Sequence, residues 1–145
     1  MSTEVLAKER SSVDTSPVKA VYVWIFRIVI TLHAAAAFGQ AVLAGRFLSG
    51  EFDMLRAHFE NSQVVGGLAI GQVVAGLFYW LRGRGLRWPA LASIGLLALE
   101  PIQIATGIKR VVGVHIPLAV LIIAASVTFA VWAWGPGIRR RRGAK

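Results

Sequence analysis

The stretch Ile108-Lys-Arg-Val-Val-Gly-Val-His-Ile-Pro-Leu-Ala-Val-Leu-Ile-Ile123 decides the fold. Its basic pair opens an apolar run that continues to Trp134, and an apolar run of this length is enough for a helix to cross the bilayer core. One histidine, His115, lies about a turn inside the start of the run. A second histidine, His58, stands in the same relation to an earlier apolar run.

Composition extends the membrane interpretation to the whole chain of 145 residues. Apolar residues make up 56% of it and charged residues 16%, which is more apolar surface than a soluble domain of this size can bury. A net charge of +9 is also typical of nucleic-acid-binding proteins. Here the basic residues flank the apolar runs, so we expect a lipid bilayer as partner and no nucleic acid. A chain without cysteine cannot form a thiolate metal site or attach a c-type haem covalently.

Four apolar runs predict an all-α, integral membrane domain over residues 17–135. It lies between a polar tail at residues 1–16, expected to be mobile, and a basic tail at residues 136–145. Ser16-Pro17 is typical of a helix start, and Glu51 and Asp53 suit the first turn of the second helix. Pro101 is a candidate kink. The four helices are predicted at residues 17–47, 51–81, 88–108 and 111–134.

The distribution of basic and aromatic residues predicts the orientation. The N-terminal lysines, the turn at residues 82–87 and the arginines at residues 139–142 fall on one side, which the positive-inside rule makes cytoplasmic. All five tryptophans and both tyrosines fall at the same end. We therefore expect an up-down-up-down four-helix bundle in the plasma membrane with both termini in the cytoplasm. The basic tail is expected to act as a topology signal attracted to anionic lipid.

His58 and His115 are predicted to lie at the same depth. His58 precedes the basic anchor Arg82 by 24 residues, and His115 precedes Arg139 by the same 24. Both are then about 36 Å from the cytoplasmic anchors, near the outer face. The second and fourth helices are diagonal in such a bundle. Two level imidazoles on diagonal helices predict axial ligation of one haem b iron from both faces; the alternative is a pair of ordinary residues near the interface.

Small and basic residues near the pair predict the rest of a haem site. Glycines on the second and fourth helices would give a flat macrocycle room, and basic residues on the same outer side would hold its propionates. The glycines are Gly66, Gly67 and Gly113, and the basic residues are Arg46, Arg56, Lys109 and Arg110.

Three stretches carry a resemblance to a known family. They are His58-Phe-Glu-Asn-Ser-Gln-Val-Val-Gly-Gly-Leu-Ala, Gln103-Ile-Ala-Thr-Gly and His115-Ile-Pro-Leu-Ala. With them, residues 20–134 resemble one four-helix half of the haem A synthase family, which implies a haem site between histidines on the second and fourth helices. The chain lacks that family's second half and outer-loop cysteines, and Met54, Leu55 and Phe59 stand where the family has a glutamate and an arginine. Haem A synthesis is therefore not expected.

Two ionisable residues are predicted deep in the membrane. His33 on the first helix and Glu100 on the third are both about 20 Å from the cytoplasmic anchors, where ionisable residues are costly and mark function. Either they form a bonded pair, as part of a proton path, or a neutral Glu100 simply ties two helices together. Gln40 lies two turns from His33 and Gln103 one turn from Glu100, and both are expected to form interhelical hydrogen bonds. Arg27 is expected to snorkel inward or to pair with Glu100.

Taken together, these patterns predict a membrane electron-transfer protein, or a haem-bearing subunit of a redox complex, without catalytic activity of its own. A quinone or a membrane redox protein would be its partner. Two alternatives stay open: a haem-free accessory or scaffold subunit, and a small homo-oligomer that conducts protons or solutes.

Overall fold

The computed structural model describes residues 18–139, which are helical without strands. The helices are α1 (Ala20–Leu48), α2 (Met54–Leu81), α3 (Trp88–Ile108) and α4 (Val112–Trp134), followed by a short 3-10 helix (Pro136–Arg139). The predicted helix start at Ser16-Pro17 and the arginines at residues 140–142 lie outside the described residues. α3 has its predicted bounds and remains helical through Pro101, as α4 does through Pro117.

The start of α2 corrects one expectation. Glu51 and Asp53 do not lie in the first turn of this helix, which begins at Met54. Instead, the Glu51 N–H bonds the Arg46 carbonyl at 3.1 Å, and the Glu51 carboxylate accepts hydrogen bonds from the Arg46 guanidinium. These contacts keep Glu51 in the turn after α1, where Gly50 has a φ of 101°. The helix therefore starts three residues later than predicted.

The four helices form a bundle in which each packs mainly against two others. α1 and α3 each contact α2 and α4. The diagonal pairs are therefore α1 with α3 and α2 with α4. All four helices are long and apolar enough to cross a membrane. Large apolar side chains such as Leu32, Phe38, Val120 and Val131 are exposed on their outer faces, as expected when lipid is the solvent. The chain is a multi-pass membrane protein.

α2 and α4 bury residues at the same intervals. Each carries its histidine near the start, and buried residues follow the histidine at intervals of 7, 11, 14 and 18 residues. These intervals are close to whole helical turns, so the histidine and the buried residues share one face of the helix. Both histidines therefore belong to the faces that point into the bundle. The buried positions are Val65, Ala69, Gln72 and Gly76 after His58, and Ile122, Ser126, Phe129 and Ala133 after His115.

Aromatic packing holds the end of the bundle at which α2 and α4 finish. Tyr79 is fully buried and stacks on Phe26 with ring centroids 5.7 Å apart. Its hydroxyl donates to the Ile138 carbonyl at 2.5 Å, tying α2 to the 3-10 helix. The α2–α3 turn crosses the Tyr79 ring so closely that a Cβ at Gly85 would overlap it. This end is closely packed, and the histidines lie at the other.

Candidate functional site

The structure brings the side chains of His58 and His115 together. Their ring centroids are 6.3 Å apart, and the ring planes make an angle of 65°. The rings come from the diagonal helices α2 and α4, and both are half-buried. The pair lies at the end of the bundle where α1 and α3 finish and α2 and α4 begin.

One nitrogen of each ring is held by a backbone carbonyl of a neighbouring helix. His58 Nδ1 lies 3.1 Å from the Gln40 carbonyl oxygen on α1, and His115 Nδ1 lies 3.0 Å from the Gln103 carbonyl oxygen on α3. A carbonyl oxygen only accepts hydrogen bonds, so Nδ1 carries the proton in both rings. A neutral ring then has a free lone pair on Nε2. Metal-binding histidines are commonly oriented by this second hydrogen bond.

The Nε2 atom of His115 has one weak polar contact. The Gln103 side-chain nitrogen lies 3.5 Å away, beyond the usual length of an N–H donor bond. Thr106 Oγ1 is also 3.5 Å from His115 Nδ1, and that nitrogen already has its closer carbonyl partner. The Gln103 amide is therefore the group that must turn aside if His115 Nε2 binds a metal.

Gly107 allows His115 to reach this position. A Cβ at Gly107 would lie 2.8 Å from His115 Cε1 and 3.2 Å from Nδ1, closer than side chains approach one another. The end of α3 must therefore carry no side chain where the ring of α4 packs against it. Sequence analysis did not single out Gly107. The Gln103-Ile-Ala-Thr-Gly stretch contains it, but nothing in the sequence shows that it touches the ring.

The spacing of the two rings equals the separation that one shared metal ion would impose on them. With metal–nitrogen bonds of about 2 Å and about 1 Å from each nitrogen to its ring centre, a shared ion sets the two ring centres about 6 Å apart, close to the observed 6.3 Å. Between residues 18 and 139, no three His, Cys, Asp or Glu side chains are placed so that they could hold a metal ion together. Two imidazoles alone hold a metal poorly, so the other ligands would have to come with it, as a porphyrin provides them.

Unsatisfied polar atoms flank the pair. The side-chain oxygens of Gln40 and Gln103 are buried and have no hydrogen-bond partner among the described residues. Gln40 and Gln103 are also the residues whose carbonyls hold the two rings. Buried acceptors of this kind can accept hydrogen bonds from a ligand that binds beside the rings. The interhelical hydrogen bonds expected of Gln40 and Gln103 are therefore not formed by their side-chain oxygens.

The basic residues expected to hold propionates are at the same end of the bundle. Arg46 pairs with Glu51, and Arg56 Nε donates to Glu60 Oε1 at 2.8 Å. Lys109 and Arg110 form the exposed turn between α3 and α4, where Arg110 has a φ of 57°. Two of the four cations thus already have a carboxylate partner, and an anionic ligand would have to compete with it.

The three glycines differ in their relation to the pair. A Cβ added at Gly66, Gly67 or Gly113 would meet no atom within 4 Å. Gly67 and Gly113 are exposed and lie about 180° and 160° around their helices from the histidines. Gly66 is half-buried and about 80° from His58. Of the three, it is the one that faces space beside the pair.

A second polar cluster lies deeper in the bundle, around the fully buried His33. Its Nδ1 lies 2.8 Å from the Gln72 side-chain oxygen, and its Nε2 lies 3.5 Å from Glu100 Oε1. The Gln72 amide donates to Ser93 Oγ at 3.2 Å, and Ser93 donates to the Pro89 carbonyl. The cluster links α1, α2 and α3 through side chains that are almost inaccessible. The sequence does not predict that Ser93 belongs to this cluster, because a lone serine in an apolar helix does not indicate a hydrogen-bond partner.

Arg27 extends toward the end of the bundle at which it was expected to snorkel, and not toward Glu100. It is buried, and its Nε donates to the Ala133 carbonyl at 2.8 Å, with Nη2 3.5 Å from the Trp134 carbonyl. Its guanidinium also lies over the rings of Trp24 and Trp134. Arg27 therefore binds the carbonyls that end α4 and does not pair with Glu100.

Comparison of the chain with family models, curated proteins and solved structures finds no match. The chemistry of the histidine pair must therefore be inferred from its geometry and surroundings.

Proposed function

We propose that this protein binds a b-type haem in the membrane through His58 and His115 and takes part in electron transfer. The observation that carries the proposal is the pair itself. Two rings from diagonal helices lie 6.3 Å apart, and a backbone carbonyl holds Nδ1 of each. The Nε2 lone pair of each ring is then available to a metal once the Gln103 amide turns away from His115. The resemblance of the histidine-bearing stretches to one half of the haem A synthase family supports the same proposal.

In this proposal the chain supplies ligands, orientation and shielding. His58 and His115 would hold the haem iron through their Nε2 atoms, the Gln40 and Gln103 carbonyls fix the tautomers of the two rings, and Gly107 leaves room for the ring of His115. Haem, when bound, supplies the one-electron redox chemistry. With both histidines bound to it, the group would serve electron transfer to or from a quinone or a redox protein better than oxygen chemistry.

The proposal includes an orientation in the plasma membrane. An up-down-up-down bundle with both termini in the cytoplasm would bring the histidine pair near the outer face. The asymmetric distribution of basic residues supports it, because the turn at residues 82–87 and Arg139 fall at one end. Arg46, Arg56, Lys109 and Arg110 at the other end would then be the candidate partners of propionates.

The proposal is tested by the spectrum of the purified protein. Expressed with an adequate haem supply and purified in detergent, it should be coloured, with sharp reduced-minus-oxidised bands and about one haem per chain. A colourless preparation that stays colourless after titration with haemin would contradict the proposal and favour a haem-free accessory or scaffold subunit.

The His33 cluster favours a second candidate function, proton conduction by an oligomer of this chain. Ionisable residues inside a membrane mark proton relays, and the cluster joins Glu100, His33, Gln72 and Ser93 within the bundle. Four helices are few for a complete pathway, so several copies would have to assemble. Proteoliposomes with an imposed potassium gradient should then take up protons faster than protein-free liposomes, and Glu100→Leu should abolish the difference. Equal rates of proton uptake in wild-type proteoliposomes, Glu100→Leu proteoliposomes and protein-free liposomes would exclude this function.

A further inference from the structure

We propose that the protein binds an anionic phospholipid along one face of α1, across a basic cavity and an apolar groove that begins one helical turn further on. The phosphate would lie among Lys19, Arg27 and Arg139, and one acyl chain would follow the groove toward Phe38. This site is at the end of the bundle opposite the histidine pair, and it does not depend on the proposed haem function.

The phosphate end of the groove is basic. A cavity of about 440 Å³ opens there, and its lining includes Lys19, Arg27 and Arg139 together with Trp24. No carboxylate pairs with any of these three cations among residues 18–139. Basic pockets between helices at the membrane surface are typical binding sites for anionic lipid headgroups.

The start of α1 adds to the positive potential of the cavity. α1 begins at Ala20 with no acidic residue in its first turn and no side chain that caps its N–H groups. The N-terminus of a helix carries a partial positive charge, which favours a nearby anion. Lys19 and Ala20, at this terminus, both line the cavity.

Arg27 is the feature that most favours an anion. It is 6% exposed, its described polar contacts are the Ala133 and Trp134 carbonyls, and two tryptophan rings lie beside it at 5.3 and 5.0 Å. A guanidinium has five N–H donors, so these carbonyls leave donors unused. A largely buried cation without a counter-ion is costly in an apolar environment, and a lipid phosphate would compensate it.

A separate apolar groove begins at Thr31, one turn of α1 beyond Arg27. It has a volume of about 480 Å³ and lies between α1 residues from Thr31 to Phe38 and α4 residues from Val127 to Trp134. The Trp134 indole N–H donates to Thr31 Oγ1 at 3.0 Å, and the Trp134 ring contacts Trp24 and the Arg27 guanidinium. Trp134 therefore lies between the cavity and the groove, and an acyl chain would pass over its exposed ring. The α1 residues that line both parts recur every three or four positions and therefore form one stripe on the helix.

The dimensions of the groove fit an acyl chain. From Arg27 to Phe38 the helix rises about 16 Å, close to half of the roughly 30 Å bilayer core, which is the depth of one leaflet. The small side chains Ala34, Ala35 and Ala130 leave the groove open. A free phosphate would fill the basic end alone, whereas a phospholipid would fill both parts. We therefore assign the site to a lipid.

The test measures lipids retained by the detergent-purified full chain in native mass spectrometry, with dioleoyl phosphatidylglycerol and dioleoyl phosphatidylcholine added in equal amounts. The wild type should retain phosphatidylglycerol at least about fivefold more than phosphatidylcholine. Each cation near a membrane surface contributes about a fivefold preference. The double variant Lys19→Gln/Arg139→Gln should therefore lose most of the difference.

Two further variants distinguish the contribution of the lipid headgroup from that of the acyl chain. Arg82→Gln/Arg87→Gln removes the same charge from the exposed turn at the same end of the bundle and should change retention less than twofold. Ala35→Phe fills the exposed apolar groove without changing charge and should also reduce retention of phosphatidylglycerol. Circular dichroism of each variant checks that the helices are intact.

Three results would overturn the assignment. Equal retention of the two lipids by the wild type would exclude selection of an anionic headgroup. An equal loss in the Arg82/Arg87 control would show nonspecific attraction. If millimolar inorganic phosphate displaces phosphatidylglycerol, and Ala35→Phe retains as much phosphatidylglycerol as the wild type, the site binds the phosphate group alone.

Discussion

Gly107 and His115 illustrate how the site depends on single residues. The ring of His115 packs against the backbone of α3 at Gly107, while the Gln103 carbonyl holds its Nδ1 atom. The ring is the far end of a flexible side chain, so an added methyl group at residue 107 would move the ring rather than unfold the helix. Binding at the pair is therefore separable from stability.

We expect Gly107→Ala to weaken haem binding by at least about tenfold, since the shifted ring can no longer direct Nε2 toward the shared ion and axial ligands need accurate orientation. The matched control is Gly113→Ala, whose added Cβ meets no atom within 4 Å. A haemin titration of both variants in detergent measures the effect. Equal affinities in the two variants would show that Gly107 does not position His115.

A second residue-level prediction concerns Glu51 in the turn between α1 and α2. The hydrogen bond from Arg46 lowers the pKa of the Glu51 carboxyl. A lowered pKa stabilises the folded turn above the ordinary pKa of a glutamate, and the effect disappears as the pH falls through the lowered value. Because both side chains are exposed, the change should be small and local.

Amide hydrogen exchange in residues 49–53, corrected for its intrinsic pH dependence, should therefore quicken as the solution becomes acidic. Glu51→Gln should show the faster exchange already at neutral pH. Glu60→Gln, which removes the Arg56 partner instead, should leave this turn unchanged. Identical exchange in the wild type and Glu51→Gln would mean that the ion pair does not order the turn.

At the level of the helices, α2 and α4 carry the site because their inward faces repeat the same intervals. The apolar lengths and basic anchors predicted which helix carries each histidine and that the two are level. They could not predict Gly107 or the carbonyl partners, because backbone groups of neighbouring helices have no sequence signal. The sequence indicated the direction of the Arg27 side chain but not its partners, because these are the carbonyls at the end of α4, which belong to no particular residue type.

The buried cluster leads to a prediction about Glu100. Glu100→Gln should be tolerated better than Glu100→Leu, because the amide can still bond His33 Nε2, which otherwise has no close partner. A hydrogen bond between transmembrane helices contributes about 0.6–2 kcal/mol, so the loss in Glu100→Leu should be modest.

The measurement is thermal unfolding in one detergent. Ser126→Ala serves as control, because Ser126 Oγ is buried without a hydrogen-bond partner among the described residues and its removal should cost little. Equal unfolding temperatures for the wild type, Glu100→Gln and Glu100→Leu would show that the His33–Glu100 contact does not stabilise the bundle.

At the level of the whole molecule, the chain presents apolar faces outward and polar clusters inward. The composition and the four apolar runs were sufficient to predict a multi-pass helical membrane protein, because bilayer thickness sets helix length. The orientation of the bundle stays a prediction, which follows from the basic residues at one end.

That orientation can be tested with single cysteines, since the chain has none of its own. Ser49→Cys, in the exposed turn after α1, should react with a membrane-impermeant maleimide in intact cells. Gly143→Cys should react after the membrane is opened and not before. Labelling of Gly143→Cys from outside intact cells would reverse the proposed topology.

The most direct test of the central proposal is the low-spin ferric spectrum of three histidine variants. His58→Ala and His115→Ala should each lose the six-coordinate low-spin signal, because each removes one axial nitrogen. His33→Ala should keep it, since His33 contacts Gln72, which lies 14 residues, or about 21 Å, along α2 from His58. Loss of the signal in His33→Ala but not in His58→Ala would show that the ligand assignment proposed here is wrong. An unchanged pigment in all three variants would contradict haem binding by this chain.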